Sequence, residues 1–169
     1  MKYQDAPRPP QSTGWALHDS NQAGSSPPDF VQHARNLRNL GITFYKILAD
    51  GENKAQRAKV YLQHGIMPIV RLYAPRPHPR HIPDPNHVKQ YVDVGVRYFE
   101  IGNEGNLLEE WEEGAWYEVK RDHTDPKKKS HGAWMAHQWI QASAVVRGQG
   151  GLPLVYAATP GGHVNHTIW

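Results

Sequence analysis

The chain has 169 residues, no cysteine, and 19 Lys and Arg against 16 Asp and Glu, a formal charge of +3. That length suits one domain that buries about two-thirds of its unfolded surface. The lack of cysteine excludes a disulfide scaffold, a zinc–thiolate site and a cysteine nucleophile. A small basic excess without a dense basic stripe argues against nucleic acid, and no run approaches the roughly 18 consecutive apolar residues of a membrane helix.

Residues 1–13 are Pro-rich and polar, without the apolar stretch of a signal peptide. They are read as an N-terminal segment ahead of a domain over 14–169, in a soluble chain whose compartment is not specified. The first strand is expected over 14–18. Ser26-Pro27-Pro28-Asp29 then reads as a helix start with Pro in the first turn, and Phe30, Ala34 and Leu37 fall on one helical face. A strand over 43–48 follows. Ala55, Ala58, Tyr61 and Leu62 mark the second helix, and 68–73 the third strand. Asp84-Pro85 opens the third helix with Val88, Tyr91 and Val92 inward, and a strand runs over 98–102. Ala133, Ala136, Ile140 and Ala144 mark the fourth helix, before a last strand over 153–158. Trp134 and Trp139 of that helix are read as packing residues.

One pattern recurs at the helix ends. Leu40-Gly41-Ile42, His64-Gly65-Ile66, Val94-Gly95-Val96 and Gly150-Gly151-Leu152 each place Gly between a helix and an apolar strand. Gly accepts the left-handed conformation that closes a helix. Near-continuous apolar strands alternating with helices indicate parallel βαβ units. Two architectures fit: a doubly wound open sheet and part of a (β/α)8 barrel. The connections after the strands are long, as in 74–83 and 106–130, whereas those after the helices are a Gly or two. That asymmetry is the one expected of a barrel with its site at the strand C-terminal ends. No Gly-rich phosphate loop follows the first strand. The expectation is therefore an α/β chain, an incomplete (β/α)8 barrel of about five units.

The sharpest chemical feature is the run from Tyr98 to Leu107, Tyr-Phe-Glu-Ile-Gly-Asn-Glu-Gly-Asn-Leu, followed by an acidic loop with Trp111 and Trp116. A carboxylic acid at a strand end is aimed by a rigid element, an adjacent Asn donates to a hydroxyl, and Trp offers a flat face for a sugar ring. Glycoside hydrolysis uses two such carboxylates. Side-chain alternation gives a second argument. If Glu104 faces the mouth, Gly102 and Glu100 face the lumen with Ile69, Arg71 and Tyr73, while Phe99, Ile101, Val70 and Leu72 face the helices. Lys46 sits mid-strand, where an unpaired charge is costly. Lys46, Arg71 and Glu100 are therefore expected to form a charge network that holds Glu104 or a sugar hydroxyl. Asp19 and Asp50, at the ends of the first two strands, read as turn or capping residues. His78/His81 and His163/His166 lie three apart without a carboxylate partner, so no metal and no cofactor is expected. Lys127-Lys128-Lys129 reads as a solvated run.

The Phe-Glu-Ile-Gly-Asn-Glu-x-Asn-Leu…Trp stretch resembles the fourth strand of clan A glycoside hydrolases, with the continuation from Asn106-Leu107 to Trp111 similar to family 39. The group also includes family 5. The resemblance implies a (β/α)8 fold and a retaining mechanism. It assigns the general acid/base to Glu104 and a sugar 2-hydroxyl contact to Asn103, with Gly105 standing where Pro is usual. Arg71, Tyr73, Trp111, His163 and His18 would line the subsites. The clan's nucleophile, a Glu ending the seventh strand, has no counterpart in five strands. The 169-residue chain is accordingly expected to bind carbohydrate without normal turnover. A non-catalytic carbohydrate-binding or degenerate barrel domain is the alternative. The unpaired edges of an open arc would favour self-association.

Overall fold

A computed structural model describes residues 6–19, 27–49, 54–72, 82–102 and 131–155. The elements are β1 (Ala16–His18), α1 (Pro27–Asn39), β2 (Phe44–Leu48), α2 (Lys54–Gln63), β3 (Met67–Leu72), α3 (Pro85–Asp93), β4 (Tyr98–Ile101), α4 (His131–Gly148) and β5 (Leu152–Val155). Each lies within a few residues of its expected span. All strands pair in parallel in the order β1-β2-β3-β4-β5. A doubly wound sheet reverses its strand order at a switch point. This sheet does not, so the winding is one-way and the barrel alternative holds.

The helices close as their sequence pattern predicts. Gly41, Gly65, Gly95 and Gly150 all have φ between 71° and 106°. At each end the Gly amide bonds the carbonyl three residues back, and the next amide bonds the carbonyl five back. In α1 these are Gly41 to Arg38 and Ile42 to Leu37, both 2.9 Å. This is the Schellman closure, and its apolar pair is buried: Ile42 against Leu37, Ile66 against Tyr61, Val96 against Tyr91. At the start of α3, Asp84 accepts from the Asn86 amide at 2.9 Å.

The register divides the sheet into two faces. Tyr45, Ile47, Val70, Leu72, Phe99 and Ile101 join Ala34, Leu37, Ala58, Tyr61, Val88, Tyr91, Ala142 and Val146 in one core under the helices. The inner face carries Ala16, His18, Phe44, Lys46, Leu48, Met67, Ile69, Arg71, Tyr98, Glu100, Leu152 and Leu154. Near the start of β4, the Tyr98 hydroxyl donates to the carbonyl of Pro7, and its ring meets Phe44 edge-on. The polar N-terminal segment is thereby tied to the lower rim of the sheet.

One helix face differs from its sequence reading. Ile140 is 57% exposed, and Ala136 and Ala144 are exposed too. The buried side chains of α4 are Ala142, Ser143 and Val146, with Trp139 packed against the core. The alanines suggested the wrong stripe because Ala is compatible with either face. The larger Trp139 and Val146 decide which face turns inward, and Trp139 donates to the Leu154 carbonyl at 3.2 Å.

Candidate functional site

Of the expected site residues, His18, Lys46, Arg71 and Glu100 are described, and all four lie on the inner face of the sheet. Lys46 of β2 is in register with His18 of β1 and Ile69 of β3; Arg71 is in register with Leu48 and Glu100. The Lys46 ammonium reaches across β3 to both oxygens of Glu100, at 2.8 Å to Oε2 and 3.1 Å to Oε1. The side chains are 20% and 8% exposed. The lysine stem lies along the sheet while its head group is neutralised where water is scarce. Arg71 is half-buried beside Glu100 on the same face. His18 is exposed at the rim, and its Nδ1 lies in hydrogen-bond contact with the Asp19 carbonyl.

Gly102 closes β4 with φ 78°, so the chain turns there, directly before Asn103 and Glu104. Asn103, Glu104, Tyr73, Trp111 and His163 lie outside the described residues, as do Asp50, Trp116, both histidine pairs and the lysine run. The Trp134 side chain is also outside them. Among the described residues no helix is long and apolar enough to cross a membrane. None forms a group of three or more His, Asp or Glu suited to a metal ion.

A second polar cluster lies on the helix side of the same rim. Asp19, read as a turn or capping residue, is buried, and its Oδ2 is 2.7 Å from Arg57 Nη1. Arg57 Nε donates to the Tyr61 hydroxyl at 2.8 Å, and that hydroxyl lies 2.7 Å from His33 Nδ1. Tyr45 donates to Asp19 Oδ1 at 3.4 Å. The guanidinium also lies over the rings of Phe30, Tyr45 and Tyr61 at 5.3–5.8 Å. Burial lowers the His33 pKa, and the Arg57 charge adds to the effect. A neutral His33 accepting from Tyr61 follows, with Tyr61 accepting from Arg57 in turn. Burial raises the pKa of both Tyr45 and Tyr61, which keeps their hydroxyls protonated.

Sequence reasoning missed this cluster, although two signals were present. Extending the strand alternation one residue past His18 turns Asp19 toward the helices. Arg57 falls beside Ala58 and four residues before Tyr61, so it places a charge on an apolar helix face.

No family model matches the chain, and no curated protein matches it. It is similar to the crystal structure of a GH5_18 from Bifidobacterium longum subsp. infantis, with a TM-score of 0.50 and 14% identity, over 86% of this chain and 41% of that one. The likeness is one of fold, a partial (β/α)8 barrel with five consecutive parallel strands and the helices between them. The chain spans less than half the length of that structure.

Proposed function

We propose that this chain carries the acid/base side of a retaining glycoside hydrolase site and takes a carbohydrate substrate. Glu104 protonates the glycosidic oxygen and Asn103 holds the sugar. Arg71, Tyr73, Trp111, His163 and His18 line the subsites. The single observation that carries the reading is a charged inner face at the C-terminal end of β4, within a glycoside-hydrolase-like fold. The Lys46–Glu100 pair stands there, four residues before Glu104. The family 39 pattern from Asn106 to Trp111 remains a resemblance in sequence, and the structural likeness is to a GH5 protein.

A retaining mechanism needs a second carboxylate about 5–5.5 Å from the first. Among the described residues the inner face offers Glu100, which is bound to Lys46, and Asp19 is bound to Arg57 on the other side. The nucleophile must come from elsewhere. A small anion can stand in for it: azide attacks the anomeric carbon, the C–O bond to the aryl group breaks, and Glu104 gives its proton to the departing oxygen.

A panel of nitrophenyl and dinitrophenyl glycosides tests this with the 169-residue chain. Azide-dependent phenol release is expected, strongly reduced in Glu104→Gln for nitrophenyl glycosides. Dinitrophenyl glycosides, whose leaving group needs less protonation, should be affected less. Sugar binding without azide-dependent release, indifferent to Glu104→Gln, would instead establish a binding module. Release without azide that depends on Glu104 would place the nucleophile within the chain.

A further inference from the structure

The Lys46–Glu100 pair joins two strands that are not neighbours. β3 lies between them, and Ile69 and Arg71 are the inner-face residues the bond passes. Backbone ladders already hold β2 to β3 and β3 to β4, so the pair is not needed to assemble the sheet. Nor is a nearly buried ion pair an efficient source of stability, because desolvation offsets most of its Coulombic gain. What such a pair does supply is geometry, since an ammonium held by two oxygens fixes the lateral position of both strands. The position fixed here matters: Glu100 is separated from the turn at Gly102 by a single residue, and Asn103 and Glu104 follow at once. Glu100 and the left-handed Gly102 are thus the last inner-face residues described at the end of β4 before Asn103 and Glu104 in the sequence.

We propose that Lys46 and Glu100 are positioning residues, which fix the end of β4 against β2 so that Asn103 and Glu104 are delivered to the mouth in productive register. The inference rests on the acid/base reading of Glu104. It assigns the pair no contact with substrate. Loss of the tie leaves sugar binding by the loops and the remaining wall largely intact but misplaces the proton donor. Misplacement of about 1 Å costs on the order of 100-fold in rate.

The test uses azide-dependent release of nitrophenol by the full chain. Lys46→Met keeps the stem and removes the charge, Lys46→Arg keeps the charge, and Lys46→Glu with Glu100→Lys exchanges the partners. Lys89→Ala, in the exposed Lys89–Asp93 pair of α3, is the control. Lys46→Met is expected to lower kcat about 10- to 100-fold with KM changed little. Lys46→Arg and the exchanged pair should each recover most of the loss, and Lys89→Ala should behave as the parent chain. Circular dichroism melts confirm that each variant is folded.

A parent chain that releases nitrophenol while Lys46→Met matches it overturns the positioning role alone. So does a loss confined to KM, or a loss that tracks the melting temperature and is not recovered by the exchange. Absence of any Glu104-dependent release in the parent, with or without azide, overturns the acid/base reading, and the positioning role with it.

Discussion

At the scale of single residues, the two ion pairs at the rim have different environments and different consequences. The Lys46 side chain is 20% exposed, whereas Asp19 and Arg57 are 0% and 2% exposed in theirs. The guanidinium has Asp19 on one side, Tyr61 on its Nε, and three aromatic rings around it. Its second terminal nitrogen, Nη2, is buried without a hydrogen-bond partner among the described residues. The charge on Arg57 is therefore tolerated mainly because Asp19 opposes it. Removing one member of a buried pair leaves the other uncompensated, at about 3–5 kcal/mol, while replacing both with apolar residues of similar volume is often neutral. Asp19→Ala should lower the unfolding free energy by about that amount in urea titration. Asp19→Leu combined with Arg57→Met should recover most of it. A double variant as unstable as the single one would show that the network, and not the isolated charge, sets the cost.

Among the elements, the helix ends show what was legible in the sequence and what was not. The Gly-apolar punctuation located all four junctions because the Schellman closure depends on one residue type at one place. The strand alternation likewise sorted Val70, Leu72, Phe99 and Ile101 from Lys46, Arg71 and Glu100, because a period of two admits no other arrangement once one face is assigned. It did not reveal the orientation of α4, where alanines carry little preference. Nor did it reveal the Asp19–Arg57 partnership, which joins residues 38 apart in sequence and so has no local signature. The fourth junction also departs from the other three. Its residue after the capping Gly is Gly151, where the others place Ile or Val. A Cβ there would stand 2.7 Å from Phe99 Cδ2 and 2.8 Å from Val146 Cγ1. By contrast, a Cβ at Gly41 meets nothing within 4 Å, and only its φ of 75° opposes substitution. Gly151→Ala should therefore cost about 1–3 kcal/mol through overpacking against β4 and α4. Gly41→Ala should cost about 1–2 kcal/mol through backbone strain alone. The two are separable by thermal unfolding combined with Phe99→Leu, which should relieve Gly151→Ala and leave Gly41→Ala unchanged.

For the molecule as a whole, the ends of the sheet differ from its middle. Among the described residues β1 pairs with β2 alone and β5 with β4 alone. Register places Leu17 and Val155 on the face where Ile47 and Val70 are fully buried, yet Leu17 is 46% and Val155 66% exposed. Trp15, just before β1, and Ile140, on the helix before β5, are exposed as well. Fully burying side chains of this size is worth about 1.5–3 kcal/mol each, and an unpaired strand edge adds a row of backbone donors and acceptors. Both terms favour contact between the ends of different molecules. The chain is therefore expected to associate as its concentration rises, read by sedimentation velocity. Leu17→Lys and Val155→Lys place charges on the two edges and should each shift the distribution toward monomer. Ile82→Lys changes an exposed residue, at 38%, that stands just before α3 between the central strands β3 and β4, and should leave the association unchanged. Equal effects from all three would make general surface charge the cause, and a monomer at every concentration would show that the edges are satisfied within one molecule.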